Sequence, residues 1–351
     1  METIASLGEN ASLKRTISRL NKGEHELVGP GDDAAVIQAI DGSYVVTTDT
    51  LVQDHDFKLK WSSGYDLGWK AVASNIADVA AMGAVPTVLV VALVAPGSTE
   101  VAWLEAFADG LREACLALAP GCAVVGGDLA SGAQIVISVT AHGSLEGRQP
   151  VLRSGAKAGD VLAVAGTLGR AACGLDLLAS GNTDAANAYD ELVAVQLRPQ
   201  PPISAGVAAS NAGATAMLDV SDGLVKDASR IAAASGVRIS IDAGQLIGFE
   251  AVLEGPAQAL AIKPGTHTEA HYTRKWVLGG GEDHALLATF PADATLPRGF
   301  KRIGSVVASA TLDTAESSSA ANSDSPGVLL GNEQLTAAAI DALGWDSVLG
   351  N

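Results

Sequence analysis

A two-domain protein of mixed α/β (α+β) class is what this sequence predicts, on three observations. At 351 residues the chain suits two cores better than one. Strand-like apolar runs are interleaved with helical patterns in both halves. Between the halves lies a basic, glycine-rich passage at 147–159, GRQPVLRSGAKAG, with little to bury. The boundary is placed there, giving one domain over 1–147 and another over 148–351.

The elements follow in order. Leu13, Ile17 and Leu20 recur at helical spacing and predict an opening amphipathic helix. The runs AAVIQ and SYVVTTD flank Asp41-Gly42, which predicts a hairpin. Residues 66–84, DLGWKAVASNIADVAAMGA, read as a helix with Leu67, Val72, Ile76 and Val79 near one face. TVLVVALV is a buried strand. Ser98 is the expected cap of a helix reaching Leu118, with Glu100 in its first turn beside the positive dipole end. CAVVGGD and QIVISVTAHG are the next strands. In the second half DVLAVAG, ATAMLDV, HALLATF and RIGSVV are strands, and a helix over 224–234 follows the SDG turn. Residues 308–327, ASATLDTAESSSAANSDSPG, bury almost nothing and read as a mobile loop.

Composition narrows the function. Hydrophobic residues are 48% but aromatics only 4%, so packing is by small side chains. A net charge of −17 repels phosphate backbones and argues against nucleic acid as a partner. An anionic ligand would need imported positive charge, and metal ions are the obvious source. No apolar run is long enough to span a bilayer, and METIASLGEN lacks a secretion-signal pattern, so no membrane role is expected. Three cysteines, Cys115, Cys122 and Cys173, show no ligand spacing and suit a reducing cytoplasm.

The aspartates carry the chemistry. Asp32 and Asp33 stand side by side in GPGDDAAV, ahead of an apolar run, where a turn is the simpler explanation. Asp49 ends YVVTTD, Asp128 ends CAVVGGD, Asp219 ends ATAMLD, and Asp222 follows in VSDG. Asp78 interrupts an apolar helix, with Asn75 one turn earlier. Asp is depleted from strands and seldom buried, so this many in one context argues for a shared role. Converging carboxylates repel unless cations lie between them, and oxygen-only ligands suit Mg²⁺, which commonly holds nucleotide phosphates. No P-loop, kinase-type catalytic loop, GxSxG elbow or HExxH helix is present. GGD at 126–128 and GGGED at 279–283 would let backbone approach a phosphate.

In this order GPGDDAAV, TTDTLV, NIADVAAMGAVP, GGDLASG, LRSGAKAGD, LDVSDGL, GGGEDHALL and LGWD make the chain resemble the thiamine-monophosphate kinase family. That family sits in the superfamily of aminoimidazole ribonucleotide synthetase, selenophosphate synthetase and the hydrogenase maturation factor HypE. The resemblance implies a two-domain PurM-like fold: an N-terminal sheet domain that pairs two subunits into a homodimer, and a C-terminal α/β domain. It implies ATP-dependent phosphorylation of thiamine monophosphate to thiamine diphosphate, assisted by several Mg²⁺ ions. Carried over by position, Asp33, Thr47, Thr48, Asp49, Asp78, Asp128, Asp219 and Asp222 match metal ligands, and turnover is expected to depend most on Asp49, Asp128 and Asp222. Gly127, Asp128, Arg153 and Ser221 match ATP contacts; Glu282 and Trp345 match residues that hold the thiamine part. The chain departs from the family pattern at QDHDF. Gapless counting there gives Asp56 the place of a substrate-contacting His, with His55 one position early. It departs again at His284, where Tyr is usual. The alternatives are another phosphoryl-transfer enzyme of the superfamily or, from a different class, a non-catalytic metal-binding protein.

Overall fold

The computed structural model describes residues 2–7, 9–28, 36–260, 269–309, 326–331 and 333–343. Its contacts divide into two units, Met1–Gln149 with Leu197–Val207, and Pro150–Gln196 with Ala208–Asp346.

The first unit opens with short helices α1 (Ile4–Leu7) and α2 (Glu9–Ile17) and a small antiparallel pair, β1 (Glu26–Val28) and β2 (Val36–Ile37). Its main sheet is built from β3 (Val45–Val52), β4 (Val85–Ala95), β5 (Ala123–Ser131) and β6 (Val136–Ser144) in the order β3-β6-β4-β5. Helices α3 (Gly64–Ala81) and α4 (Val101–Leu118) pack with it. β4 and β5 are parallel, so α4 is the crossover between them.

Ser63 starts α3 with a capping box: its hydroxyl accepts from the Asp66 amide and the Asp66 carboxylate accepts from the Ser63 amide. Over 70–81 every residue of this helix is buried except Asp78. Burial all round needs small residues, which is where the Ala-rich composition goes. At Gly64, Gly68 and Gly110 a Cβ would collide with the backbone of the facing helix, so α3 and α4 meet main chain to main chain. Leu67, Val72, Ile76, Leu104, Phe107 and Leu111 fill the rest. Each is worth roughly 1.5–3 kcal/mol in surface removed from water.

Two local expectations are corrected here. AAVIQ and SYVVTTD do not form a hairpin: β2 pairs with β1, whereas β3 pairs with β6. The Asp41 side chain instead accepts from the Ser43 amide at 3.3 Å and from the distant Gly147 amide at 2.9 Å. Nor does Ser98 cap α4. Glu100 occupies the cap position without a side-chain bond, and the first helical amide, Val101, donates to the Glu2 carbonyl at 3.1 Å. A remote main-chain acceptor has replaced the local hydroxyl.

The second unit carries β7 (Val161–Ala165), α5 (Arg170–Ser180), α6 (Thr183–Ala188), α7 (Asp190–Leu197), α8 (Ile203–Asn211), β8 (Ala216–Val220), α9 (Leu224–Ser235) and β9 (Val237–Ile241). Then come α10 (Ala243–Glu250), a 3₁₀ turn (Ala251–Leu253), α11 (Glu254–Leu260), α12 (Glu269–Gly279), β10 (Ala285–Phe290), β11 (Phe300–Ala308), β12 (Gly327–Leu330), β13 (Glu333–Gln334) and α13 (Ala337–Leu343). Leu197 at the end of α7 and residues 203–207, the first part of α8, fall in the first unit. The seven-stranded sheet runs β13-β12-β9-β11-β7-β10-β8, with Leu162, Val164, Leu218, Leu287, Ile231 and Trp276 among its buried core. Most of the expected loop at 308–327, residues 310–325, lies outside the described residues. The three cysteines are buried and unpaired by disulfide, as small core residues.

Candidate active site

The acidic residues fall into two groups, one in each unit. In the first, β3 carries Thr47, Thr48 and Asp49. Cross-strand register fixes which way each points. Asp49 shares a row with Val139, Val91 and Gly127; Thr50 shares the next with Ser138, Ala92 and Asp128. Side chains alternate along a strand, so Thr47 and Asp49 lie on the face with buried Val139 and Val91. Thr48, Thr50 and Asp128 lie on the opposite face. The Thr47 hydroxyl donates to Asp78 at 2.9 Å, bringing β3 and α3 together at a half-buried point of the helix. The Thr48 hydroxyl is turned to the Val139 carbonyl at 2.8 Å, and the Thr50 amide donates to Asp49 at 2.9 Å.

Asp128 is exposed on β5, just past an irregularity in the β4–β5 register. Such bulges commonly re-aim a side chain near a site. β3 and β5 form opposite edges of the sheet, three strand spacings or about 14 Å apart. Within one chain, then, Asp49 and Asp128 are not brought together. Asp33, with its neighbour Asp32, lies outside the described residues, as does Trp345.

The loop after β3 resolves the QDHDF pair differently from a simple count. Asp56 accepts from the Val52 amide at 2.7 Å and faces His55 Nδ1 at 3.1 Å, so its two oxygens close the loop. The His55 ring keeps 34% of its surface exposed.

In the second unit two glycine-containing turns interlock. A Cβ at Gly281 would strike the Ser221 carbonyl, and one at Gly223, whose φ is 108°, would strike the Gly279 backbone. That contact lets the Glu282 amide donate to the Ser221 carbonyl at 3.0 Å and the His284 amide to the Val220 carbonyl at 3.2 Å. SDG and GGGED are therefore one structure. Glu282 and His284 take φ of 65° and 51°, unfavourable for side chains with a Cβ and typical of functional turns. Buried Asp219 meets His284 Nδ1 at 3.0 Å.

The sequence reading missed the support behind these residues. Asp227, fully buried, accepts from the Asp222 amide at 2.9 Å and pairs with Arg230 at 2.5 Å. Arg230 also binds Asp222, and Lys226 stands 3.6 Å from the same carboxylate. Burial, with the nearby Asp219 charge, pushes the Asp227 carboxyl up to about 7 against the pull of Arg230. The signal was present: 222, 226, 227 and 230 fall at helical spacing after the SDG turn. Asp283 turns inward from the same loop. It accepts from the Thr167 hydroxyl at 2.6 Å and from the Arg170 and Ala171 amides at 3.2 Å, capping α5, and burial raises its pKa. Arg153 is exposed, with its carbonyl accepting from the Ser235 hydroxyl at 3.1 Å.

The donors offered to a cation are oxygens throughout the first group, which fits a hard ion such as Mg²⁺. Among the described residues, no three His, Cys, Asp or Glu side chains gather closely enough to enclose one ion.

Comparison with known proteins defines the class first. Residues 31–145 match the family model for the AIR synthase related protein N-terminal domain, and 157–273 match that for its C-terminal domain. A thiamine-monophosphate kinase of Mycobacterium tuberculosis (strain H37Rv) is 48% identical over 305 residues, covering 87% of this chain and 86% of the relative. The crystal structure of thiamine-monophosphate kinase from Stenotrophomonas maltophilia K279a superposes with a TM-score of 0.70 at 32% identity, covering 93% of this chain and 96% of that one. A structure described as AaThiL complexed with AMPPCP and TMP matches at 0.69 and 29% identity, covering 95% and 97%. The chain belongs to the thiamine-monophosphate kinase family.

Proposed function

We propose that the protein transfers the γ-phosphoryl group of ATP to thiamine monophosphate, giving thiamine diphosphate. The observation that carries this is a thiamine-monophosphate kinase relative, 48% identical and matched over 87% of the chain. The acceptor is a phosphate monoester whose second pKa is about 6, so its attacking oxygen is already deprotonated near neutral pH. No general base is required. What the protein must do is align two polyanions and balance charge on the transferring group.

Asp33, Thr47, Thr48, Asp49, Asp78, Asp128, Asp219 and Asp222 would hold Mg²⁺, whose chemistry when bound is to neutralise phosphate oxygens. Thr47 orients Asp78 through its hydrogen bond. His284 restrains Asp219, while Arg230 and Lys226 restrain Asp222. Gly127, Asp128, Arg153 and Ser221 contact the nucleotide, with Arg153 as an exposed cation for phosphate. Glu282 and Trp345 hold the cationic thiamine part. At the QDHDF loop we assign the substrate phosphate to His55, since both Asp56 oxygens are engaged locally.

We further propose a cytoplasmic homodimer. Among the described residues no helix is long and apolar enough to cross a membrane. The sheet face bearing Thr48 and Thr50 also bears Val46 at 56% exposure and Val90 at 37%, an apolar surface suited to a second copy. Asp128 stands on that same face. Asp49 points to the other face but stands on the edge strand β3, so a partner that wraps this edge would bring its own Asp128 to it, which one chain cannot do alone. The test of the activity is a product assay with thiamine monophosphate, ATP and Mg²⁺, beside an aminoimidazole precursor and selenide. Turnover of either alternative instead would refute the assignment.

A further inference from the structure

We propose that Gln196 is a positioning residue for substrate recognition, acting by holding the Glu282 carboxylate in one orientation; this rests on the kinase reading above. Gln196 sits near the end of α7 with 5% of its surface exposed. Its Nε2 donates to Glu282 Oε2 at 2.7 Å. An ionised carboxylate can only accept, so the amide must present nitrogen to it, and the flipped assignment is excluded. That choice leaves Oε1 buried with no hydrogen-bond partner among the described residues. A buried acceptor without a donor is costly, and an apolar side chain of the same length would avoid it. A Gln that served packing alone has no reason to be there.

The neighbourhood makes room for it. At Gly174 on α5 a Cβ would strike the Leu192 carbonyl and come within 3.0 Å of the Gln196 Cβ, so α5 lies directly against α7 at this point. Across the gap, the Glu282 backbone is fixed by its left-handed φ and by the hydrogen bond its amide donates to the Ser221 carbonyl. The charge-assisted bond from Gln196 restrains the rotors of its side chain. A carboxylate held in advance binds a cationic heterocycle without first losing that freedom.

The experiment compares Gln196→Met with the unmodified protein in steady-state kinetics, thermal melting and calorimetric binding of thiamine monophosphate without ATP. The expected result is a rise of roughly tenfold in Kd and KM for thiamine monophosphate. KM for ATP should stay within about twofold, and the melting temperature should be unchanged or higher. In a Glu282→Gln background the same change should add little, since the two residues act as one unit. If Gln196→Met does not fold, Gln196→Asn keeps both polar groups but withdraws them by one methylene, and the same split is expected. Unchanged Kd and KM for thiamine monophosphate in a folded variant would overturn the proposal, whatever the melting temperature does. Failure of the unmodified protein to bind thiamine monophosphate is a separate result, and it would overturn the kinase reading as well.

Discussion

The separation of Asp49 from Asp128 makes a quantitative prediction about mixed dimers. If each site takes Asp49 from one chain and Asp128 from its partner, Asp49→Asn and Asp128→Asn should each lose most turnover alone. In a heterodimer of the two variants, one site collects both substitutions and the other collects neither. A pair isolated through two different affinity tags should therefore recover about half the wild-type rate, from one intact site in two. Random re-association makes about half the pairs mixed, so an unsorted mixture should reach about a quarter. The assay is coupled ADP release at saturating substrates, normalised to chain concentration. The distance behind the argument is the width of the sheet, about 14 Å between its edge strands, which no side-chain rotation spans. If the doubly tagged heterodimer is no more active than the parents, both carboxylates serve within one chain, and the partner-completed site is wrong.

Three further outcomes are expected. With ATP already saturated as its magnesium complex, the rate should continue to rise with free Mg²⁺; a flat response would count against more than one ion per site. Asp283→Ala should lower stability by roughly 2 kcal/mol in urea titration, because it strips the cap from two α5 amides and a hydroxyl; a change below a few tenths would mean water replaces it. Burial and the Glu113 carboxylate, which accepts from the Tyr65 hydroxyl at 2.6 Å, push the Tyr65 phenol up to about 12, whereas it titrates near 10 when unfolded. The fold then binds the extra proton, so this stabilisation is complete below about pH 10 and disappears by about pH 12. Tyr65→Phe should flatten the fall in melting temperature across that window, and an unaltered slope would assign the fall to other groups.

What the sequence could and could not disclose follows from the range of the interactions. Apolar runs such as TVLVVALV and HALLATF declare strands because burial on both faces is a local demand on composition. Asp78 stood out as a charge inside an otherwise apolar stretch of helix, and over 70–81 it is the one residue that is not fully buried. Strand partnership is not local, so SYVVTTD looked like half a hairpin although its partner, β6, is some ninety residues away. The same blindness hid the distance between Asp49 and Asp128, which depends on strand order rather than on either motif. Glu2 could not be seen as the acceptor for Val101, since any residue has a carbonyl to offer. Gln196 was invisible for another reason: its meaning comes entirely from the side chain it meets.

The backbone contact between α3 and α4 has a consequence for how this enzyme can vary. Gly64, Gly68 and Gly110 bear no functional group, yet they set how closely the rod carrying Asp78 lies to its neighbour. Enlarging any one of them would wedge the rods apart by a fraction of a side-chain diameter. The carboxylate would then drift from Thr47 while its own residue stayed intact. On the proposal that Asp78 holds a metal ion, variation that tunes cation affinity would arise at positions a survey of polar residues would pass over, and an inactive variant would keep every proposed ligand. In this protein the ruler is made of hydrogen atoms.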